Sequence, residues 1–359
     1  MYGVRPAIAS ALLVLGSITL TLLLGEAVCR LAGQRGLEMY RPDRELGWVL
    51  EPNQSTVTRV GHLPARINSE GFRDDPLRMP KPAGTVRIFA LGGSSTFGWG
   101  VSQPEVYHQV LERMLNDSAR ASGSPVRFEI VNAGIIGYNF WQVAHSMRRI
   151  TAGYQPDGFL VAYTFNDGWN RVGSMDAEER DRMLAGVRRK NLLRASALFN
   201  WLIDVRARRL SHQAEQGGFE TGLATAQTAD TAASEAELAA YQAQLDSMVT
   251  LARNSRLSLG FTVLAARGQQ RLWPRQAAML EASAAAPVPE IDLVPAFRAA
   301  DPDSVYLAAD AVHPSPSGHA LIARLMYAEL CDFAKRARQG DPAGVYRPGC
   351  GAEPHNPKL

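Results

Sequence analysis

Two stretches of the chain hold residue types suited to acyl transfer. The first, Gly92-Gly93-Ser94-Ser95-Thr96-Phe97-Gly98, sets two serine hydroxyls in a tight glycine turn. The second, Asp310-Ala311-Val312-His313-Pro314, sets a carboxylate three residues before an imidazole. At that spacing the pair can meet across one turn. The carboxylate then accepts from Nδ1–H, fixes the tautomer and leaves Nε2 free as a base. A serine beside such a base is an activated nucleophile. Spacing alone leaves Ser94 and Ser95 equally eligible. A Gly/Ser loop can also cradle phosphate, but the patterns G-x-x-x-x-G-K-[ST] and G-x-G-x-x-G are both absent, which disfavours nucleotide binding.

Two further loops carry hydrogen-bond donors. One is Asn132-Ala133-Gly134-Ile135-Ile136-Gly137-Tyr138-Asn139, and the other is Phe165-Asn166-Asp167-Gly168. Either could be an ordinary glycine turn. Each could also offer a donor to a developing oxyanion: Gly137 through its backbone N–H, Asn166 through its side-chain amide.

The elements that must position these loops read as alternating strands and helices. Short apolar runs at 85–91, 126–132, 158–164, 259–265 and 288–293 have the composition of buried strands. Helical patterns fall between them. Pro104 is expected to open one that continues through Val110, Met114 and Leu115. Another carries Phe140, Ala144 and Met147. A third runs through Leu238, Tyr241, Leu245 and Met248 behind a Ser234/Glu237 capping box. The last starts at Ser315-Pro316, an N-cap followed by proline at the first helical position. Such alternation predicts a parallel sheet covered on both faces, with every candidate loop at the strands' C-terminal edge, where ligands bind.

With four loops in view, the chain resembles the SGNH (GDSL-like) hydrolases, a family named for Ser, Gly, Asn and His in four ordered blocks. The blocks here are GGSSTFGWGV, NAGIIGYN, FNDGWN and DAVHPSPSGH. The resemblance spans about residues 85–336 and implies a flavodoxin-like three-layer α/β/α sandwich. It implies Ser94 as nucleophile, His313 as base and Asp310 as its orienting carboxylate. It also implies an oxyanion hole of Ser94 N–H, Gly137 and Asn166. The activity implied is ester hydrolysis through an acyl-enzyme, with no metal or organic cofactor. O-acetyl transfer to a polysaccharide by the same residues is the alternative enzyme, and a non-catalytic envelope module the alternative of another class. One departure stands out: the family's first block reads Gly-Asp-Ser, and here Gly93 replaces the aspartate that orders the loop.

The rest of the chain bears on location. Residues 7–28, AIASALLVLGSITLTLLLGEAV, carry only Glu26 as charge. That length crosses about 30 Å of hydrocarbon. We expect a retained single-pass anchor (1–32), a β/loop extension (33–84), the hydrolase domain (85–336) with a helical or flexible insertion (171–233), and a tail (337–359). Within the insertion, 182–209 holds eight Arg or Lys against one acid, Asp204, with Leu, Phe and Trp interleaved. A net charge of +3 gives no ground for a nucleic-acid partner. An ester of an envelope carbohydrate or a lipid is the partner expected. Arg30, Arg35, Arg41 and Arg44 follow the apolar segment and only Arg5 precedes it, a bias toward a cytoplasmic domain. The resemblance implies the outward face, and that is the expectation adopted. A Cys331–Cys350 disulfide is its corollary, closing a loop worth about 3 kcal/mol.

Overall fold

The computed structural model describes residues 4–33, 40–57, 63–203, 205, 230–285, 290–308 and 310–337. An apolar helix, α1 (Val4–Leu31), comes first. Two antiparallel hairpins follow, β1 (Tyr40–Asp43) with β2 (Gly47–Leu50) and β3 (Gln54–Val57) with β4 (Pro64–Ile67).

The chain then alternates: β5 (Thr85–Leu91), α2 (Tyr107–Ala121), β6 (Arg127–Asn132), α3 (Phe140–Gly153), β7 (Gly158–Ala162), α4 (Ala177–Arg194), α5 (Glu235–Asn254), β8 (Ser258–Val263), α6 (Pro274–Ala285), β9 (Glu290–Asp292) and α7 (Pro316–Ala337). The strands form one parallel sheet in the order β6-β5-β7-β8-β9. This is the flavodoxin-like order, with its topological switch between β5 and β7. Helices α2 and α7 pack together, and α3, α5 and α6 form a second packed group. Covered on both faces, the strands tolerate the continuous apolar runs that the sequence shows. Phe89, Ala90, Leu91, Val161 and Phe261 are wholly buried.

The expected α/β sandwich is therefore present, and several local expectations are met. Ser234 caps α5 in a capping box with Glu237. Ser315 Oγ accepts from Gly318 N ahead of α7. One start differs: Pro104 sits in a one-turn 3₁₀ segment, Gln103–Glu105, and α2 begins only at Tyr107. Proline suits a first turn, but here that turn stops before the helix. Asp176 caps α4 in a box with Glu179, and α4 packs on β1 and β2. Cys350 lies outside the described residues, and nothing is described of the Cys331 side chain, so the proposed disulfide falls outside the described residues too.

Candidate active site

Ser94 follows β5 directly and opens a one-turn helix, Ser94–Phe97. The turn requires glycine at 92, where a β-carbon would stand 2.2 Å from Thr96 Oγ1. Phe97 N donates to Gly93 O and Gly98 N to Ser94 O, so backbone bonds fix the turn.

His313 reaches this turn from the loop before α7. That loop is pinned at both ends, by a bridge between Tyr306 and Pro314 and by Leu307 N donating to His313 O at 3.1 Å. Asp310 Oδ1 accepts from Val312 N and His313 N at 2.9 and 2.8 Å, which orients the carboxylate. Its Oδ2 lies 2.8 Å from His313 Nδ1. The opposite ring nitrogen, Nε2, lies 2.7 Å from Ser94 Oγ. Burial pushes Asp310 toward the neutral acid. The imidazole and the two backbone donors outweigh it and hold the carboxyl below its ordinary range.

Geometry thus separates groups that spacing could not. Ser95 Oγ turns away and donates to Val312 O at 3.3 Å. His319, the other histidine of the last block, is wholly buried. Its Nδ1 accepts from Tyr107 N, its ring stacks on Tyr107, and burial lowers it to about 3. It is a neutral core residue.

The Gly137 and Asn166 loops converge on the same turn from the other side. A β-carbon at Gly93 would lie 3.1 Å from Asn166 Nδ2, and that amide donates one hydrogen to Tyr138 O at 2.8 Å. Gly137 has φ +82°, a left-handed conformation suited to glycine. A β-carbon there would meet Trp48 Cζ2 at 3.2 Å. Among the described residues no acceptor takes the Gly137 N–H. Asn170 Nδ2 holds Gly137 O at 2.7 Å. Asn139 caps α3 and donates to Asn170 O and Val172 O. Asp167 is half-buried, accepts from Phe140 N and Thr164 Oγ1, and is raised by desolvation to about 6.

The sequence reading brought together Ser94, Gly137, Asn166, Asp310 and His313, and all five lie around one turn. It missed the residues that hold the turn. Arg73, fully buried, donates through Nη1 to Phe97 O and Gly98 O, both at 2.8 Å, and through Nη2 to Val101 O at 2.9 Å. Asn132 Nδ2 also donates to Phe97 O. Asp74 accepts from Asn132 N at 2.8 Å and from Gln109 Nε2 at 3.0 Å. These bonds hold the far end of the turn, whereas a side chain at Gly93 would face Asn166 and Thr164. No motif in the sequence marked these bonds. Trp48 was also missed: its Nε1 donates to Ile136 O at 3.1 Å, and its carbonyl accepts from Tyr138 Oη at 2.6 Å.

Two indoles border the site. Trp99 lies 5.6 Å from the His313 ring, and Trp169, 57% exposed, follows Asn166 by three positions. Among the described residues no group of three or more His, Cys, Asp or Glu is arranged to hold a metal ion.

A family model described as GDSL-like Lipase/Acylhydrolase matches residues 90–321, well over half of the chain. None of the curated proteins compared with the chain matches it. Similar solved structures include the psychrotrophic esterase EstA from Pseudoalteromonas sp. (12% identity, 69% of this chain and 98% of that one, TM-score 0.39). They include a lipase/acylhydrolase from Enterococcus faecalis (17%, 68% and 95%, TM-score 0.41). A third is Axe2, an acetylxylan esterase from Geobacillus stearothermophilus (14%, 68% and 93%, TM-score 0.40).

Proposed function

The chain belongs to the GDSL-like lipase/acylhydrolase family and is an ester-hydrolysing enzyme, and from that premise we propose that it acts through a Ser94 acyl-enzyme on an acetyl or short-chain ester of an envelope carbohydrate or lipid. One observation carries the reading: the unbroken relay Ser94 Oγ, His313 Nε2, His313 Nδ1, Asp310 Oδ2, with links of 2.7 and 2.8 Å.

The mechanism follows from that relay. Ser94 Oγ attacks the ester carbonyl carbon while its proton passes to His313 Nε2. The carbonyl π-bond opens and its oxygen takes the negative charge. Three donors receive it: Ser94 N–H, Gly137 N–H and the Asn166 N–H not engaged by Tyr138. As the tetrahedral centre collapses, the alcohol oxygen leaves with the proton from His313. Water then attacks the acyl carbon, gives its proton to His313, and the carboxylic acid departs as Ser94 recovers its hydrogen. Asp310 stays ionised and stabilises the imidazolium in both halves.

For the alcohol side, Trp99 and Trp169 support a flat, partly apolar substrate. Indole faces pack on the C–H side of a sugar ring as well as on an acyl chain. For location, α1 is apolar and long enough to cross a membrane, and we read it as a retained anchor with the catalytic domain outside. The contact of its last turns with the domain supports retention: Glu26 accepts from Ser196 Oγ, Ala197 N and Leu198 N. A cleaved leader would leave those donors of the folded domain unpaired.

The test is hydrolysis of a short-chain aryl ester by the full-length protein in detergent, with and without an oligosaccharide acceptor. Release of free acid at a rate independent of acceptor is the expected result. Acyl product appearing on the sugar instead would make the enzyme a transferase, and no turnover in either arm would leave a non-catalytic module.

A further inference from the structure

Along α1 from Ile8 to Leu31, only Gly25, Glu26 and Cys29 are shielded from solvent. These three lie on one face of the helix. The shield is a short helical stretch at 197–203. A β-carbon at Gly25 would stand 3.1 Å from Leu198 Cδ2. The Glu26 carboxylate receives Ser196 Oγ, Ala197 N and Leu198 N at 2.7–3.0 Å, so α1 caps the N-terminus of that stretch. Arg30 returns the contact, donating to Ala195 O at 3.1 Å.

This joint fixes depth. Between Arg5 and Glu26 α1 carries no charge, and its run from Ala7 to Gly25 rises about 27 Å at about 1.5 Å per residue, close to the thickness of a hydrocarbon core. Gly25 therefore falls at the hydrocarbon–headgroup boundary, and Leu198 with it. On either side of this joint in sequence, the domain exposes large apolar side chains: Leu192 (76% exposed), Leu193, Trp201, Leu202 and Ile203. One turn earlier on α4, Arg188, Arg189 and Lys190 are all exposed. Apolar residues at the boundary, a tryptophan among them, with a basic rim just outside, match an interfacial element on an anionic leaflet.

We propose that residues 188–203 form a second membrane-contacting surface. Leu192, Leu193, Trp201, Leu202 and Ile203 insert at the boundary, and Arg188, Arg189 and Lys190 meet anionic headgroups. The inference rests on α1 spanning the bilayer. Asn191 and Arg194, at the end of α4, contact Tyr40. Tyr40 starts the β1–β2 hairpin, whose Trp48 donates to Ile136 O beside Gly137. The same hairpin thus touches both the interfacial element and the loop that carries Gly137.

The test places a photoreactive benzoylphenylalanine in the full-length protein, reconstituted into vesicles of phosphatidylcholine and phosphatidylglycerol. It replaces Leu202, Leu15 within α1, or the exposed Arg120 at the far end of α2. Lipid adducts are read by mass spectrometry. The proposal expects adducts at 15 and 202 and none at 120. It also expects a lower yield at 202 when Arg188, Arg189 and Lys190 are changed to Glu. Adducts at 15 without any at 202 would overturn the second surface while leaving the anchor. No adducts at 15 or 202 would overturn both. An unchanged yield on charge reversal would overturn the headgroup contact.

Discussion

The buried guanidinium of Arg73 donates to the Phe97 carbonyl across 2.8 Å, which ties the segment between the hairpins and the sheet to the turn that carries Ser94. The same group serves Gly98 O and Val101 O. Arg73→Met would remove one donor from each of these carbonyls, although Phe97 O would keep Asn132 Nδ2 and Gly98 O would keep Val101 N. We expect a loss of about 2–4 kcal/mol of stability, read as a lower urea midpoint. We also expect kcat to fall more than KM rises, because the damage is to the turn and not to substrate contacts. A stable variant with normal kcat would remove Arg73 from the positioning of Ser94.

Asn166 presses against the nucleophile turn at Gly93. Loss of one oxyanion donor costs about 10²–10³-fold in kcat, and Asn166→Ala should fall in that range with KM little changed. Steady-state kinetics on an aryl ester checks it. Near-normal turnover would make Asn166 a turn residue that serves Tyr138 O alone.

Asp310 and His313 should behave as one unit with Ser94. His313→Ala should cost as much as Ser94→Ala. Asp310→Asn should lower kcat by up to about 10⁴-fold, since an amide cannot stabilise the imidazolium. Comparable losses in all three, with unchanged thermal unfolding, are the expected pattern. If Asp310→Asn kept most of its activity, the 2.8 Å contact would be structural only.

Burial raises the Asp74 carboxyl to about 8, against the donors on it. In the unfolded chain it titrates near about 4. Between those values the folded protein holds a proton that the unfolded chain has released, so stability falls as pH rises through this window. Asp74→Asn removes the titration. Urea midpoints at about pH 5 and about pH 8 should therefore differ less in Asp74→Asn than in the wild-type protein. Equal pH dependence in both would contradict a protonated Asp74.

Much of this was legible in the residues themselves. The strand runs, the Ser234 and Ser315 caps and the loops at strand ends are local signals, and local signals survive folding. The choice of Ser94 over Ser95 was not legible from spacing. It depends on which hydroxyl faces an imidazole 219 positions away. Arg73 was hidden for a related reason. A charged residue in the run Gly71-Phe72-Arg73-Asp74-Asp75 reads as solvated turn, and only the tertiary fold turns its guanidinium inward onto three carbonyls. Pro104 misled because proline marks a first helical turn without saying whether the turn propagates. Glu26, the one charge in the apolar run 7–28, gave no hint that it caps residues 196–198.

Ser94 is proposed as the acylated nucleophile. Its most direct test is site mapping of a fluorophosphonate adduct by peptide mass spectrometry in wild-type protein, Ser94→Ala and Ser95→Ala. One adduct is expected, on Ser94, in wild type and Ser95→Ala, and none in Ser94→Ala. An adduct that persists in Ser94→Ala, or maps to another serine in the wild type, would contradict it.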